Sequence, residues 1–285
     1  MGFGYMSLPY FTVRRICFAV VFLSTIQASA KSQQSPPSIQ VVLNGVQSKI
    51  NETIADLPNI DCDEHSVSTY SKSGDIKREI TEDSIVTALR ISGKADVFEE
   101  SRNLQLVNNK PLKNKKKYNP PFTVSGGFGW TFRTYLSRKY ESCNTYKVLP
   151  GNVADGNWLE LEVKRNNRLM KIAPCGKLNE NAVAIFLLDP STYQIHELKY
   201  TDSPANLHVA GMLSLFTKKP DTVTIKSTYG LVPLGKSLYL LPRSLMAEAW
   251  NAHVPNVKYQ YKAEYGKCNM FKSSVTVITN QERIE

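Results

Sequence analysis

The feature that most constrains this chain begins at Pro58. From there to the C-terminus it is a succession of short runs rich in Val, Ile, Thr, Tyr and Phe, cut by Gly, Asn, Pro and Asp, the texture of β-strands joined by turns. Strands are expected near 66–71, 84–91, 96–100, 104–107, 145–149, 158–164, 182–188, 193–200, 222–229, 237–241, 244–250, 257–265 and 273–278. That many strands cannot stay flat and must curl. The links between them are short, which favours a meander with each strand beside its successor over the helical crossovers of a parallel sheet. Asp189-Pro190-Ser191-Thr192 supplies one turn with Pro at its second position, and Gly235-Lys236 can supply a hairpin reversal. Ahead of the β-rich part, Ile39, Val42, Val46, Ile50, Ile54 and Leu57 recur in steps of three and four, one face of a helix that starts near Ser38 and stops at Pro58. Phe128, Phe132, Tyr135 and Leu136 share a face of a second helix over 128–138, and a shorter helical piece is expected within 206–216. The fold class is therefore α+β: a large curled antiparallel meander sheet, an open half-barrel, with helices packed on its concave face.

Residues 1–30 read as a signal peptide. Arg14 and Arg15 precede an apolar run over 16–26, and Ala28-Ser29-Ala30 offers small residues for cleavage before Lys31. The apolar run is about half the roughly twenty residues a membrane span needs. Residues 31–285 then form one domain, periplasmic or secreted. Its charge stays near +8 of the chain's +10, since the leader contributes about two positive charges. Four cysteines follow the leader, Cys62, Cys143, Cys175 and Cys268, an even number in an oxidising compartment. Their wide spacing is not that of a zinc site. Cys143 is expected to bridge Cys175 from a neighbouring strand, with Cys62 and Cys268 either paired or free.

One motif is to be refused. Gly230-Leu231-Val232-Pro233-Leu234-Gly235-Lys236-Ser237 satisfies the phosphate-loop pattern. A phosphate loop, however, must open a helix whose N-terminus supports the anion. Leu238-Tyr239-Leu240-Leu241-Pro242 follows instead, a β-like run with a proline that would cost a helix about 3 kcal/mol. These residues are expected to form a hairpin, and no nucleotide is expected. The four histidines lie far apart, and Asp61-Cys62-Asp63-Glu64-His65 alternates faces on a strand, so no metal site is expected. No Gly-x-Ser-x-Gly elbow is present, and the glycines of Ser125-Gly126-Gly127-Phe128-Gly129 suit a flexible approach to the second helix. The basic run 110–117 reads as a solvated loop, and nucleic acid is not an expected partner.

The order of Leu57-Pro58-Asn59-Ile60-Asp61-Cys62, Leu106-Val107-Asn108-Asn109-Lys110-Pro111, Ser125-Gly126-Gly127-Phe128-Gly129, Leu187-Leu188-Asp189-Pro190-Ser191-Thr192, Tyr229-Gly230-Leu231-Val232 and Tyr239-Leu240-Leu241-Pro242 resembles a family of uncharacterised exported bacterial proteins of the acidobacterial type, across about residues 38–280. Asn109 stands where that family tends to have Gly, and Cys143 and Cys175 are additions to its pattern. More distantly the chain is similar to the periplasmic lipoprotein-carrier superfamily (LolA/LolB-like). That resemblance implies a half-barrel closed by helices over a groove that shelters acyl chains, and it brings no catalytic residues. Trp130, Phe132, Tyr135 and Leu136 would line such a groove and contact a lipid or lipoprotein. The reading is a non-enzymatic monomer without cofactor that binds a hydrophobic or lipidated ligand. The alternatives are a structural or interaction module whose groove is packed shut and, third, a secreted hydrolase. A carrier needs a mainly apolar cavity of at least about 300 Å³.

Overall fold

The computed structural model describes residues 37–90, 98–111, 120–124, 135–149, 158–169, 173, 175, 182–202 and 220–271. The leader at 1–30, the strand expected at 273–278, the helical piece at 206–216 and the first part of the second helix, 128–134, lie outside the described residues.

Helix α1 spans Ile39–Asp56. The Ser38 carbonyl accepts the Val42 amide at 3.2 Å, and its side chain accepts the Val41 amide at 3.4 Å, so one residue satisfies two of the amides a helix start leaves open. Val42, Val46, Ile50 and Leu57 are buried as the spacing predicts, with Leu43 beside them, while Ile39 at the start of the stripe is exposed. Pro58 follows the helix, because the residue before a proline is pushed out of helical geometry. No helix among the described residues is long and apolar enough to cross a membrane.

Among the described residues eleven strands follow: β1 (Ile60–Lys72), β2 (Asp75–Arg90), β3 (Phe98–Val107), β4 (Lys110–Pro111), β5 (Asn144–Leu149), β6 (Leu159–Arg165), β7 (Val183–Leu188), β8 (Ile195–Asp202), β9 (Thr222–Leu234), β10 (Ser237–Trp250) and β11 (Val257–Met270). They form one antiparallel sheet in the order β4-β3-β2-β1-β11-β10-β9-β8-β7-β6-β5. The sheet is curled and open, with β4 and β5 as its two edges. The rule that each strand lies beside its successor is broken once. β4 and β5 occupy opposite edges, and the first strand pairs with the last from Ile60↔Met270 to Lys72↔Val257. The connection from Pro111 to Asn144 makes this possible, since about thirty residues can reach some 100 Å while ten inter-strand steps of about 4.8 Å cover half of that. Short links speak only for neighbours in sequence, so the pairing of first with last was invisible to them.

Two pairs of expected strands are single strands. The described part of the run at 96–100 and the run at 104–107 are both β3, and those at 237–241 and 244–250 are both β10. In β3 the polar stretch Ser101-Arg102-Asn103 pairs without interruption with Thr87, Val86 and Ile85, while in β10 the break falls at the register shift between Pro242 and Ser244. A bulge slips the alternation by one residue and so reads like a break, and it also accommodates a proline that cannot donate to the ladder. Three of the reversals, at 73–74, 108–109 and 235–236, are two-residue turns. Ser73 and Gly74 join β1 to β2 with φ of 54° and 88°, and Asn108 and Asn109 join β3 to β4 with φ of 49° and 61°, both positive as a type I′ turn demands. Asn109 therefore fills a left-handed position that glycine also suits, which asparagine tolerates better than most residues.

The second helix is seen only from its end. Tyr135 and Leu136 are helical, and a 3₁₀ helix continues over Arg138–Cys143. Cys143 bridges Cys175, as expected, but the bond joins the end of that 3₁₀ helix to a short 3₁₀ turn and not two strands. Cys62 bridges Cys268, its register partner across β1 and β11.

Candidate functional site

The buried face of the sheet is divided between two apolar clusters. Helix α1 belongs to one, where Val42, Leu43, Val46 and Ile50 pack with Leu161, Val163, Ala184, Phe186, Leu198 and Tyr229 of β6–β9. Its seat there depends on Gly45. A Cβ at that position would lie 2.6 Å from Cγ and 2.8 Å from Cε2 of Tyr193, so the helix backbone rests directly on the tyrosine ring. Tyr193 itself has φ of 57°, unusual for a residue with a bulky side chain. It is held by the turn before it. The Asp189 carboxylate accepts bonds from the Ser191 and Thr192 amides and the Ser191 hydroxyl, and these bonds, the Ser191 hydroxyl first, pull its pKa down to about 2.

Of the four residues expected to line a groove, Trp130 and Phe132 lie outside the described residues, and Tyr135 and Leu136 are buried in the α1 cluster. The Tyr135 ring meets Phe186 edge-on at 6.2 Å and carries the Arg165 guanidinium 4.0 Å above it. Arg165 donates to Asn144 Oδ1 at 2.6 Å, and Asn144 and Tyr146 both donate to the Tyr135 carbonyl. Burial raises the Tyr135 hydroxyl to about 12.

The second cluster is built on β1, β2 and β9–β11 with the segment at 120–124. Ile60, Val86, Ala88, Phe122, Val223, Ile225, Ala247, Tyr259, Tyr261 and Tyr265 are among its members. Phe122 is pinned to β1 by a pair of bonds with the Ser68 side chain at 2.6 and 2.8 Å. This half of the face is interrupted by charge. Glu64 and Ser66 of β1 stand directly opposite Ser84 and Glu82 of β2, and all four are buried, Glu64 at 2% and Glu82 at 3% exposure. Arg102 of β3 approaches Glu64 with Nε 2.7 Å from Oε1 and Nη2 2.9 Å from Oε2, the two-pronged geometry that makes Arg–carboxylate pairs strong. Its remaining donors reach Thr123 Oγ1 and the Val124 carbonyl, and Tyr261 donates to Glu64 at 3.2 Å. Burial works against the Arg102 charge, but Tyr261 and Glu64 outweigh it and hold its pKa above the usual value. Burial raises Glu82 to about 7 from 4.5; Arg102 draws it back and Glu64 pushes it further up. The Ser66 hydroxyl is turned to Glu82 and draws its pKa down slightly, and among the described residues Glu82 Oε1 and Ser84 Oγ are buried without a close hydrogen-bond partner.

Reading by motif passed over this group. Its signal lay in the alternation: positions 60, 62, 64, 66 and 68 of β1 and 80, 82, 84, 86 and 88 of β2 face the core, and within them Glu64, Ser66, Glu82 and Ser84 break the apolar phase on two adjacent strands.

Residues 230–237 are a hairpin. β9 runs to Leu234, Gly235 turns with φ of 62°, and Ser237 pairs back to Leu234 at the start of β10. No helix follows Lys236. Two clefts are lined by described residues. One of 360 Å³ lies between Lys49, Glu52 and Asp56 of α1 and Leu231, Leu238 and Leu240 of the hairpin. The other, of 510 Å³, lies along β1, β2 and β11 beside Asp63, His65, Asp83 and Glu264. The first is about equally polar and apolar; the second, lined also by Ile85 and Tyr265, is more apolar than polar but lies open beside several carboxylates.

No protein-family model and no curated protein matches the chain. Three solved structures are similar to it in fold. A domain described as an outer membrane lipoprotein-sorting protein from Vibrio parahaemolyticus is 10% identical with a TM-score of 0.40, over 82% of this chain and 93% of that one. A DUF1329 family protein from Desulfovibrio piger is 8% identical with a TM-score of 0.41, over 85% and 96%. A LolA superfamily protein from Nitrosomonas europaea is 7% identical with a TM-score of 0.36, over 81% and 94%.

Proposed function

We propose that this chain is an exported, non-enzymatic protein of the bacterial cell envelope that holds a hydrophobic or lipidated guest against the inner face of its sheet. The observation that carries the reading is the amphiphilic character of the β1–β2–β11 half: an apolar wall of tyrosines and aliphatic residues surrounding a buried polar focus at Glu64, Glu82 and Arg102. A site with a greasy lining and a few convergent polar groups of shifted pKa is what a guest with an apolar body and a polar head requires. The leader-like N-terminus supports export, and so do two disulfides, which persist in oxidising compartments. In this proposal Trp130, Phe132, Tyr135 and Leu136 extend the lining toward the α1 half of the same face, where Tyr135 and Leu136 pack.

A module with a filled interior is the competing reading, and the close packing of Tyr135 and Leu136 with Phe186 favours it. Native mass spectrometry of the gently extracted protein separates the two. A co-purifying amphiphile, or one-to-one uptake of an added lipid, supports the carrier; a clean apo mass with no uptake overturns it.

A further inference from the structure

We infer that the polar focus on β1 and β2 is a seat for an ammonium group at the end of an apolar chain, with Glu82, Ser66 and Ser84 as its acceptors. The inference rests on the proposed guest-binding reading and adds the chemistry of the head. Charge is the first argument. Two buried carboxyls, Glu64 and Glu82, stand against one guanidinium, and that guanidinium is committed: Arg102 holds Glu64 through two nitrogens and spends its other bonds on Thr123 and Val124. Once Glu82 is ionised, the focus lacks one positive charge. The second argument is the unmet hydrogen bonding. Among the described residues Glu82 Oε1 and Ser84 Oγ are buried without a close partner, which is costly for buried polar atoms, and the Ser66 oxygen, whose hydroxyl is turned to Glu82, keeps lone pairs free to accept. The register sets these residues side by side, Ser66 opposite Glu82 and Ser84 opposite Glu64. A primary ammonium has three N–H donors and one positive charge, which matches three acceptors and one missing cation. An anionic head would instead meet two carboxyls.

The groups that face Glu82 are Glu64 on β1, Arg102 on β3 and Tyr261 on β11, with Tyr265 of β11 and Glu100 of β3 in the shell around them. Tyr261 and Tyr265 are held well above their usual pKa by burial, so they stay neutral. Glu82 is the group that changes charge near neutrality. Seating an ammonium on a protonated Glu82 expels one proton to solvent, and the carboxylate left behind pairs with the cation. Apparent affinity must then fall as pH drops below about 7.

Calorimetric titration of the folded full chain with dodecylamine, dodecanol and dodecanoate, all below micelle formation, tests this. An alkylammonium stays cationic across the range, as a lysine does. Dodecylamine is expected to bind tightest, and about tenfold more tightly at pH 8 than at pH 6, from the change in Glu82 ionisation. Glu82→Gln should cost dodecylamine about tenfold and remove the pH dependence while leaving dodecanol within about twofold; Ser84→Ala should weaken dodecylamine alone. Dodecanoate binding as well as dodecylamine, or an unchanged dodecylamine affinity in Glu82→Gln, would overturn the head-group inference and leave the carrier reading standing. Binding of none of the three would overturn the carrier reading itself.

Discussion

Glu82 is a carboxyl on a core face, and its cost depends on pH in a calculable direction. Its folded pKa, about 7, lies above the 4.5 of a free glutamate. Between those values the folded chain keeps a proton that the unfolded chain has released, so stability falls as pH rises through this window. Below about 4.5 both states are protonated and the cost vanishes; above about 7 it is complete, at up to about 3 kcal/mol. Glu82→Gln, which cannot ionise, is therefore expected to exceed the parent in urea stability at pH 8, with the difference closing by pH 4.5. An offset that is the same at both pH values would show that the carboxyl's ionisation is not what destabilises the fold. At this scale the chain was legible wherever a residue acts on its own backbone. Asp189 announced its turn and Ser38 its helix start. The role of Glu82 was not legible, because it comes from Arg102 and Glu64 on other strands, brought near by pairing.

Between elements, the joint of α1 with the β7–β8 turn carries most of the information. Helix interiors ordinarily gain by replacing glycine with alanine, by about 1 kcal/mol. At Gly45 the sign should reverse, since the new methyl would occupy the Tyr193 ring and overpacking costs about 1–3 kcal/mol. We expect Gly45→Ala to lower the melting temperature by several degrees, and Tyr193→Ala in the same chain to recover much of the loss. If the two substitutions simply add in a thermal double-mutant cycle, the helix is not seated on that ring. The apolar stripe of α1 was readable from its spacing, as was the hairpin at 235–236 from the failure of Leu238 to Pro242 as a helix. The bulges were not, since a one-residue slip in alternation has the same written form as a strand end.

For the whole molecule, the decisive contact is β1 against β11. It joins the β1–β4 meander to the β5–β11 meander, and Cys62–Cys268 locks it across a sequence separation of 206 residues. Loop-closure entropy gives that bridge about 5 kcal/mol and Cys143–Cys175, with a separation of 32, about 4 kcal/mol. Replacing Cys62 and Cys268 by alanine should therefore cost more in denaturant unfolding than replacing Cys143 and Cys175. The reverse order would mean that the central pair forms without covalent help, or that the 3₁₀ region is the weaker joint.

By itself the sequence determined the helix before Pro58, the β-rich body and the hairpin hidden in a phosphate-loop pattern, because each follows from periodicity or from the local geometry of Gly, Pro and Asn. Tertiary structure alone decided which strands close the sheet, which cysteines face each other across its centre, and that four polar residues on β1 and β2 share one buried patch. Those are contacts between residues distant in the chain. Their energies depend on register and burial, which pairing sets and which no short stretch of sequence contains.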